Sequence, residues 1–177
     1  MLEPLITSKT RIKLLLKFFL NSNATSYLRG LEGEFDESTN AIRVELNRFE
    51  KAGLLKTSRS GNKKIYRANT EHPLYEDINK IIIKYTGLDH IIHKVVKELG
   101  DIEKVYVTGD IAKGKDTNII DLIFVGKKID STYLLRLIQK AEKLIEKKIR
   151  FLIYEDTELS NVQKINGTAG TLLLWQR

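Results

Sequence analysis

Cysteine is absent from this chain. That excludes a disulfide framework, a thiolate metal site and a cysteine nucleophile. Histidine is scarce, with His72, His90 and His93 making up all 3. His90 and His93 stand three apart on an expected helix, close enough for two ligands to meet, but no third ligand is near in sequence. Both are read as helix-surface residues, and no metal and no cofactor is assigned. Long hydrophobic runs are missing as well. Leu14 to Leu20 is apolar, but Lys17 interrupts it and Lys13 precedes it, and it falls far short of the roughly 20 residues of a membrane span. No small-residue cleavage motif accompanies it. The segment is read as a buried helix, the protein as cytoplasmic and the membrane as no partner. No G-x-x-x-x-G-K-[ST] loop, G-x-S-x-G elbow or H-E-x-x-H helix occurs, so the usual signatures of phosphate-loop, serine-hydrolase and zinc-protease chemistry are lacking. Neither internal repeats nor low-complexity segments are present.

What is present is charge, unevenly placed. The 177 residues carry a net +7, and 42% of them are hydrophobic, enough for a packed core in one large domain or two small ones. Residues 1–70 hold 13 Lys and Arg against 7 Asp and Glu, a net +6, whereas residues 71–177 hold 17 against 16, a net +1. A basic excess confined to the first part favours a polyanionic partner for that part.

The basic part centres on Ser38 to Lys64. Ile42, Leu46, Phe49 and Gly53 recur at i, i+4, i+7 and i+11, one face of a helix. Thr39, Asn40, Arg43, Asn47 and Glu50 occupy another face. Ser38 suits the N-cap, where its hydroxyl accepts from a free amide of the first turn, and Gly53 suits a left-handed C-terminal cap. Leu54 to Ser58 and Lys64 to Arg67 flank Ser60-Gly61-Asn62-Lys63, a hairpin-turn composition. The expected product is a recognition helix followed by a two-stranded basic wing. A helix of this width fits the major groove of B-DNA, and Arg59, Asn62, Lys63 and Lys64 at the hairpin can lie along phosphates.

Upstream, the pattern predicts a helix over 7–21, with Thr7 or Ser8 as its cap, and a shorter helix over 25–34 with Thr25 or Ser26 at its start and Tyr27, Leu28 and Leu31 inward. Phe35 to Ser38 forms the turn between helices. With these parts in place, the stretch Asn40-Ala41-Ile42-Arg43-Val44-Glu45-Leu46-Asn47-Arg48-Phe49-Glu50-Lys51-Ala52-Gly53-Leu54-Leu55 resembles the winged helix-turn-helix of ArsR/MarR-type bacterial regulators. Tyr27-Leu28-Arg29-Gly30-Leu31 only approximates the phrase that opens the family's second helix. The resemblance implies a transcriptional regulator that binds double-stranded DNA as a homodimer and answers to a small-molecule or nucleotide effector. The DNA-contacting set carried over is Ser38, Thr39, Asn40, Arg43, Asn47, Arg59, Asn62, Lys63 and Lys64.

Asn69 to Pro73 breaks the periodicity and marks a boundary. Leu74, Ile78, Ile81, Ile82 and Tyr85 then continue at helical spacing, Gly87 interrupts, and Leu88, Ile91, Ile92, Val95, Val96 and Leu99 form a second apolar face. These helices either dimerise the protein or cover the sheet of the next domain. The expected division is 1–70 for the DNA-binding domain, 71–100 for linking and dimerising helices, and 101–177 for a mixed domain, giving an α+β fold class.

The last part alternates strand and helix. Lys104 to Thr108, Asn118 to Gly126 and Ile149 to Tyr154 read as strands, 131–148 as an amphipathic helix, Gly167 to Gly170 as a loop, and Thr171 to Trp175 as a final strand or helix end. Gly109-Asp110-Ile111-Ala112-Lys113-Gly114 followed by Asn118-Ile119-Ile120-Asp121-Leu122 resembles the minimal nucleotidyltransferase motif of the DNA polymerase β superfamily. The family's pattern is approximately G-S-x-A-R-G and then S-D-x-D-L. The departures bear on chemistry. Asp110 stands where the phosphate-holding Ser belongs. Ile119 replaces the first of two carboxylates that would hold divalent ions, leaving Asp121, and Arg150 stands near the place of a third. The resemblance therefore implies a catalytically inactive domain in which Gly109, Asp110, Lys113 and Asp121 remain as a ligand-binding remnant. Asp110, Asp116 and Asp121 are read as solvated loop acids rather than a different metal site. The alternative function is an active nucleotidyltransferase with the winged helix as its targeting module. A third reading is an interaction module whose winged helix binds protein.

Overall fold

The computed structural model describes residues 6–99, 101–115, 117–155, 158 and 171–177. Helix and strand are mixed throughout. The chain divides into two compact units, residues 1–85 and 86–177.

In the first unit, α1 (Lys9–Leu15) runs on as a π-helical turn, Leu16–Leu20. Ser8 caps it, its hydroxyl accepting from the Arg11 amide at 3.2 Å. Leu14, Leu16, Phe18 and Phe19 are fully buried. The helix expected over 25–34 begins later. Thr25–Tyr27 forms a short strand, β1, and α2 covers Leu28–Phe35. Thr25 and Tyr27 have β-inclined side chains, and the distant edge of the strand over residues 63–68 recruits them. α2 ends at Asp36, which adopts the left-handed conformation with φ 52°.

α3 (Thr39–Lys51) follows, with the expected caps. The Ser38 hydroxyl accepts from the Ala41 amide at 3.1 Å, and Gly53 takes φ 74° where a side chain would strain the backbone. Ile42 and Leu46 are buried against the rest of the unit, and the Phe49 ring meets Phe19 edge-on at 6.5 Å. β2 (Leu55–Ser60) and β3 (Lys63–Ala68) form a hairpin whose two-residue loop, Gly61-Asn62, has glycine first with φ 57°. β1 adds to the other side of β3, giving the antiparallel order β1-β3-β2. The Asn69 side-chain amide donates to the Gly53 carbonyl at 2.8 Å and ties the end of the hairpin back to the end of α3. α4 (Tyr75–Thr86) packs Tyr75 against Phe19, with ring centroids 5.6 Å apart, and its Asn79 amide donates to the Phe19 carbonyl at 2.6 Å.

In the second unit, Gly87 (φ 83°) breaks the helical run, and α5 (Leu88–Ile91), a π-helical turn (Ile92–Val96) and α6 (Lys97–Leu99) bury Leu88, Ile91, Val95 and Val96. β4 (Lys104–Thr108) leads through α7 (Gly109–Ala112) to β5 (Ile119–Val125), then α8 (Ser131–Ile145), β6 (Lys148–Tyr154) and β7 (Thr171–Gln176). The sheet order is β6-β5-β4-β7, with β5 and β6 parallel and the other pairs antiparallel. α8 stops at Ile145, short of the expected 148, because Glu146 turns left-handed (φ 56°) and Lys148 already pairs with β5. Val105, Val107, Ile120, Leu122, Phe124 and Ile149 alternate onto a buried face. The loop expected over Gly167 to Gly170 lies outside the described residues.

Candidate nucleic-acid interface

The first turn of α3 and the face that follows it are exposed. Asn40, Arg43 and Asn47 point away from the core, with Thr39 half-buried beside them and Ser38 engaged as the cap. The opposite face carries Ile42, Leu46 and Phe49 into the core. This division follows from the 3.6-residue period that the sequence displays.

A groove of about 680 Å³ opens between this helix, the hairpin and the β1–α2 corner, lined by Tyr27, Leu28, Arg29, Arg43, Asn47, Asn62, Lys63, Lys64 and Tyr66. Four of the nine lining side chains are cations and none is a carboxylate, so the wall is strongly positive. Lys63 stands over the Tyr27 ring at 4.3 Å and Lys64 over the Tyr66 ring at 5.3 Å. The Tyr27 ring also lies close to Gly30, where an added Cβ would stand 3.1 Å from its edge. Of the residues expected at the interface, Arg43, Asn47, Asn62, Lys63 and Lys64 come together in this groove. Ser38, Thr39, Asn40 and Arg59 lie outside its lining, the first three at the start of α3 and Arg59 in β2. Tyr27, Arg29 and Tyr66 were not expected. Their signal in sequence is weak, because Tyr27 reaches the groove only through the pairing of β1 with β3, opposite Ile65.

Lys64 is already engaged. Its ammonium lies 2.6 Å from the Glu50 carboxylate, which holds its pKa above the usual lysine value through that hydrogen bond. The other Glu50 oxygen accepts from the Thr57 hydroxyl at 3.3 Å.

Behind the exposed face, ion pairs fix α3 to its neighbours. Glu45 is buried on the inner side of α3 and accepts from the Arg11 guanidinium at 2.8 and 3.1 Å and from Arg48 at 2.8 Å. Burial by itself pushes the Glu45 carboxyl up. The hydrogen bond from Arg11, then the charges of Arg11 and Arg48, outweigh it and bring the carboxyl below its ordinary value. Lys13 donates to the Phe35 carbonyl at 2.7 Å, satisfying the end of α2, and to Glu37 at 2.9 Å. That hydrogen bond lowers the Glu37 pKa.

In the second unit, Gly109 alone of the other remnant residues is placed beside Asp121 of β5. Arg150, directly opposite on β6, makes a two-pronged contact with this carboxylate at 2.6 and 2.9 Å, and the pairing raises the arginine's own pKa. Gly109 (φ 69°) lies so near that an added Cβ would come within 2.6 Å of Asp121 Oδ2. Asp110 is exposed with Lys115 3.6 Å from its carboxylate, and Lys113 is exposed. Asp116 lies outside the described residues. This donor set does not fit a pair of divalent ions. Ile119 contributes no carboxylate, and the Asp121 carboxylate is occupied by a guanidinium. Among the described residues no three His, Asp or Glu side chains converge, and His90 and His93 are exposed on the helical run.

No protein-family model and no curated protein matches the chain. Among solved structures, a candidate nucleotidyltransferase from Sulfolobus solfataricus is similar at a TM-score of 0.38 and 20% identity, over 52% of this chain and 80% of that one. TrmBL2, an archaeal chromatin protein with its own mode of DNA binding, is similar at a TM-score of 0.25 and 16% identity, over 80% of this chain and 63% of that one. Likenesses at these levels carry no inference about function, which rests on the residues. Among the described residues, no helix is long and apolar enough to cross a membrane.

Proposed function

We propose that this chain is a DNA-binding transcriptional regulator of the winged helix-turn-helix kind, similar to ArsR/MarR-type proteins, whose second unit is a nucleotidyltransferase-like domain without nucleotidyl transfer activity. The observation that carries the reading is the groove in which Arg43 and Asn47 of α3 meet Asn62 and Lys63 of the hairpin. In this reading α3 enters the major groove of duplex DNA, with Asn40, Arg43 and Asn47 toward base edges and Ser38 and Thr39 near the flanking backbone. Arg59, Asn62 and Lys63 of the hairpin lie along phosphates, with Lys64 beside them on the Glu50 carboxylate. A homodimer would place two such helices on half-sites about 10 bp apart. The second unit serves dimerisation or the sensing of an effector around Gly109, Asp110, Lys113 and Asp121. Against transfer activity stands the Asp121–Arg150 pair, in which a guanidinium holds a carboxylate that metal-assisted phosphoryl transfer would need.

The test is fluorescence anisotropy with genomic duplexes, including the DNA upstream of the protein's own coding sequence. The native chain is expected to select among sequences. Arg43→Ala is expected to lose on the order of 1–3 kcal/mol of discrimination if it reads a guanine. An Arg43→Ala protein with unchanged sequence preference would remove α3 from the groove.

A further inference from the structure

Glu50 sits on α3 one turn beyond Asn47 and reaches both strands of the hairpin. One carboxylate oxygen takes the Lys64 ammonium of β3 at 2.6 Å, and the other takes the Thr57 hydroxyl of β2 at 3.3 Å. Thr57, Arg59, Lys64 and Tyr66 share one face of the hairpin, and Arg59 stands directly opposite Lys64. Two like charges opposed across a strand pair repel, so a carboxylate shared with one of them relieves the pair. Lys64 also lines the groove, with its side chain 47% exposed. A polyanion entering there meets a lysine that already has an anionic partner.

We propose that Glu50 is a positioning residue that braces the hairpin against α3 and, by holding Lys64, keeps one of the groove's cations off the phosphates. The proposal rests on the DNA-binding reading for its second half only. The cations left to neutralise phosphate in the groove are then Arg29, Arg43 and Lys63. Glu50 thereby limits the sequence-independent share of affinity, which scales with the number of phosphates neutralised.

The experiment is a double-mutant cycle on the full chain, read as the slope of log affinity against log salt for a fluorescein-labelled duplex. Glu50→Gln keeps an oxygen acceptor for Thr57 but frees the Lys64 charge, and the slope should steepen by about 0.9. Lys64→Gln should leave the slope unchanged when Glu50 is native and reduce it by about 0.9 when Glu50 is Gln. A loss of about 0.9 from Lys64→Gln in the native background, or an unchanged slope in Glu50→Gln, would overturn the withdrawal of Lys64. Amide hydrogen exchange of the DNA-free protein tests the brace separately. Glu50→Ala should lower protection in β2 and β3 while α1 keeps its protection, and unchanged hairpin protection would overturn it. A native chain with no salt-dependent duplex binding would remove the functional reading and the claim on Lys64 together, leaving the exchange result to decide the brace.

Discussion

Glu45 shows how a single side chain ties α3 to stability. It stands on the side of α3 away from the exposed face, buried, with Arg11 and Arg48 on its oxygens. Its folded pKa lies below the reference value of 4.5, so the unfolded chain binds its proton more readily. The stability it contributes is fully present above that reference value and is lost as pH falls through the lower folded value. Glu37, lowered by Lys13, adds to the same acid limb. Replacing Glu45 by Gln should destabilise the first unit by about 1–3 kcal/mol at neutral pH, through weakened charge-assisted hydrogen bonds, and should flatten the acid limb of a pH-dependent urea titration. An unaltered acid limb would show that the pair adds nothing. Gly109 is the corresponding residue in the second unit. Gly109→Ala meets both the positive φ and the Asp121 oxygen 2.6 Å away. It should cost about 1–2 kcal/mol from backbone strain alone, followed by the fluorescence of Trp175, the only tryptophan. The loss should shrink when Asp121 is also Ala, because the clash is then removed.

Elements differ in how far local sequence specifies them, and α3 is the most legible. A capping serine, a 3.6-residue apolar period and a closing glycine agree there, and each acts within a turn or two. The hairpin was legible for the same reason, through Gly61-Asn62. β1 was not. Thr25 suits both a helix cap and a strand, and the choice is made by the edge of β3, far along the chain. The end of α8 was missed because Glu146 supplies the left-handed turn that glycine usually announces. The site inherits both outcomes. Of the groove lining, Arg43, Asn47, Asn62, Lys63 and Lys64 lie on legible elements, whereas Tyr27 depends on β1. At this scale helix and hairpin should also separate in binding. Lys63→Gln should weaken all duplexes alike and reduce the salt slope by about 0.9, while Arg43→Ala should change which duplex is preferred. A Lys63→Gln protein that altered sequence preference would contradict that division.

For the whole molecule, charge and architecture point the same way. Residues 1–70, with a net +6, include the groove and its four cations, and the near-neutral remainder carries the sheet on which Asp121 and Arg150 neutralise each other. The decisive measurement is duplex DNA binding by anisotropy across a salt series, with the native chain, Arg43→Ala and Lys63→Gln side by side. A DNA-reading α3 with a phosphate-binding hairpin predicts sequence-selective binding that weakens steeply with salt, with selectivity lost in Arg43→Ala and slope lost in Lys63→Gln. Weak, salt-insensitive association that neither substitution changes would contradict it.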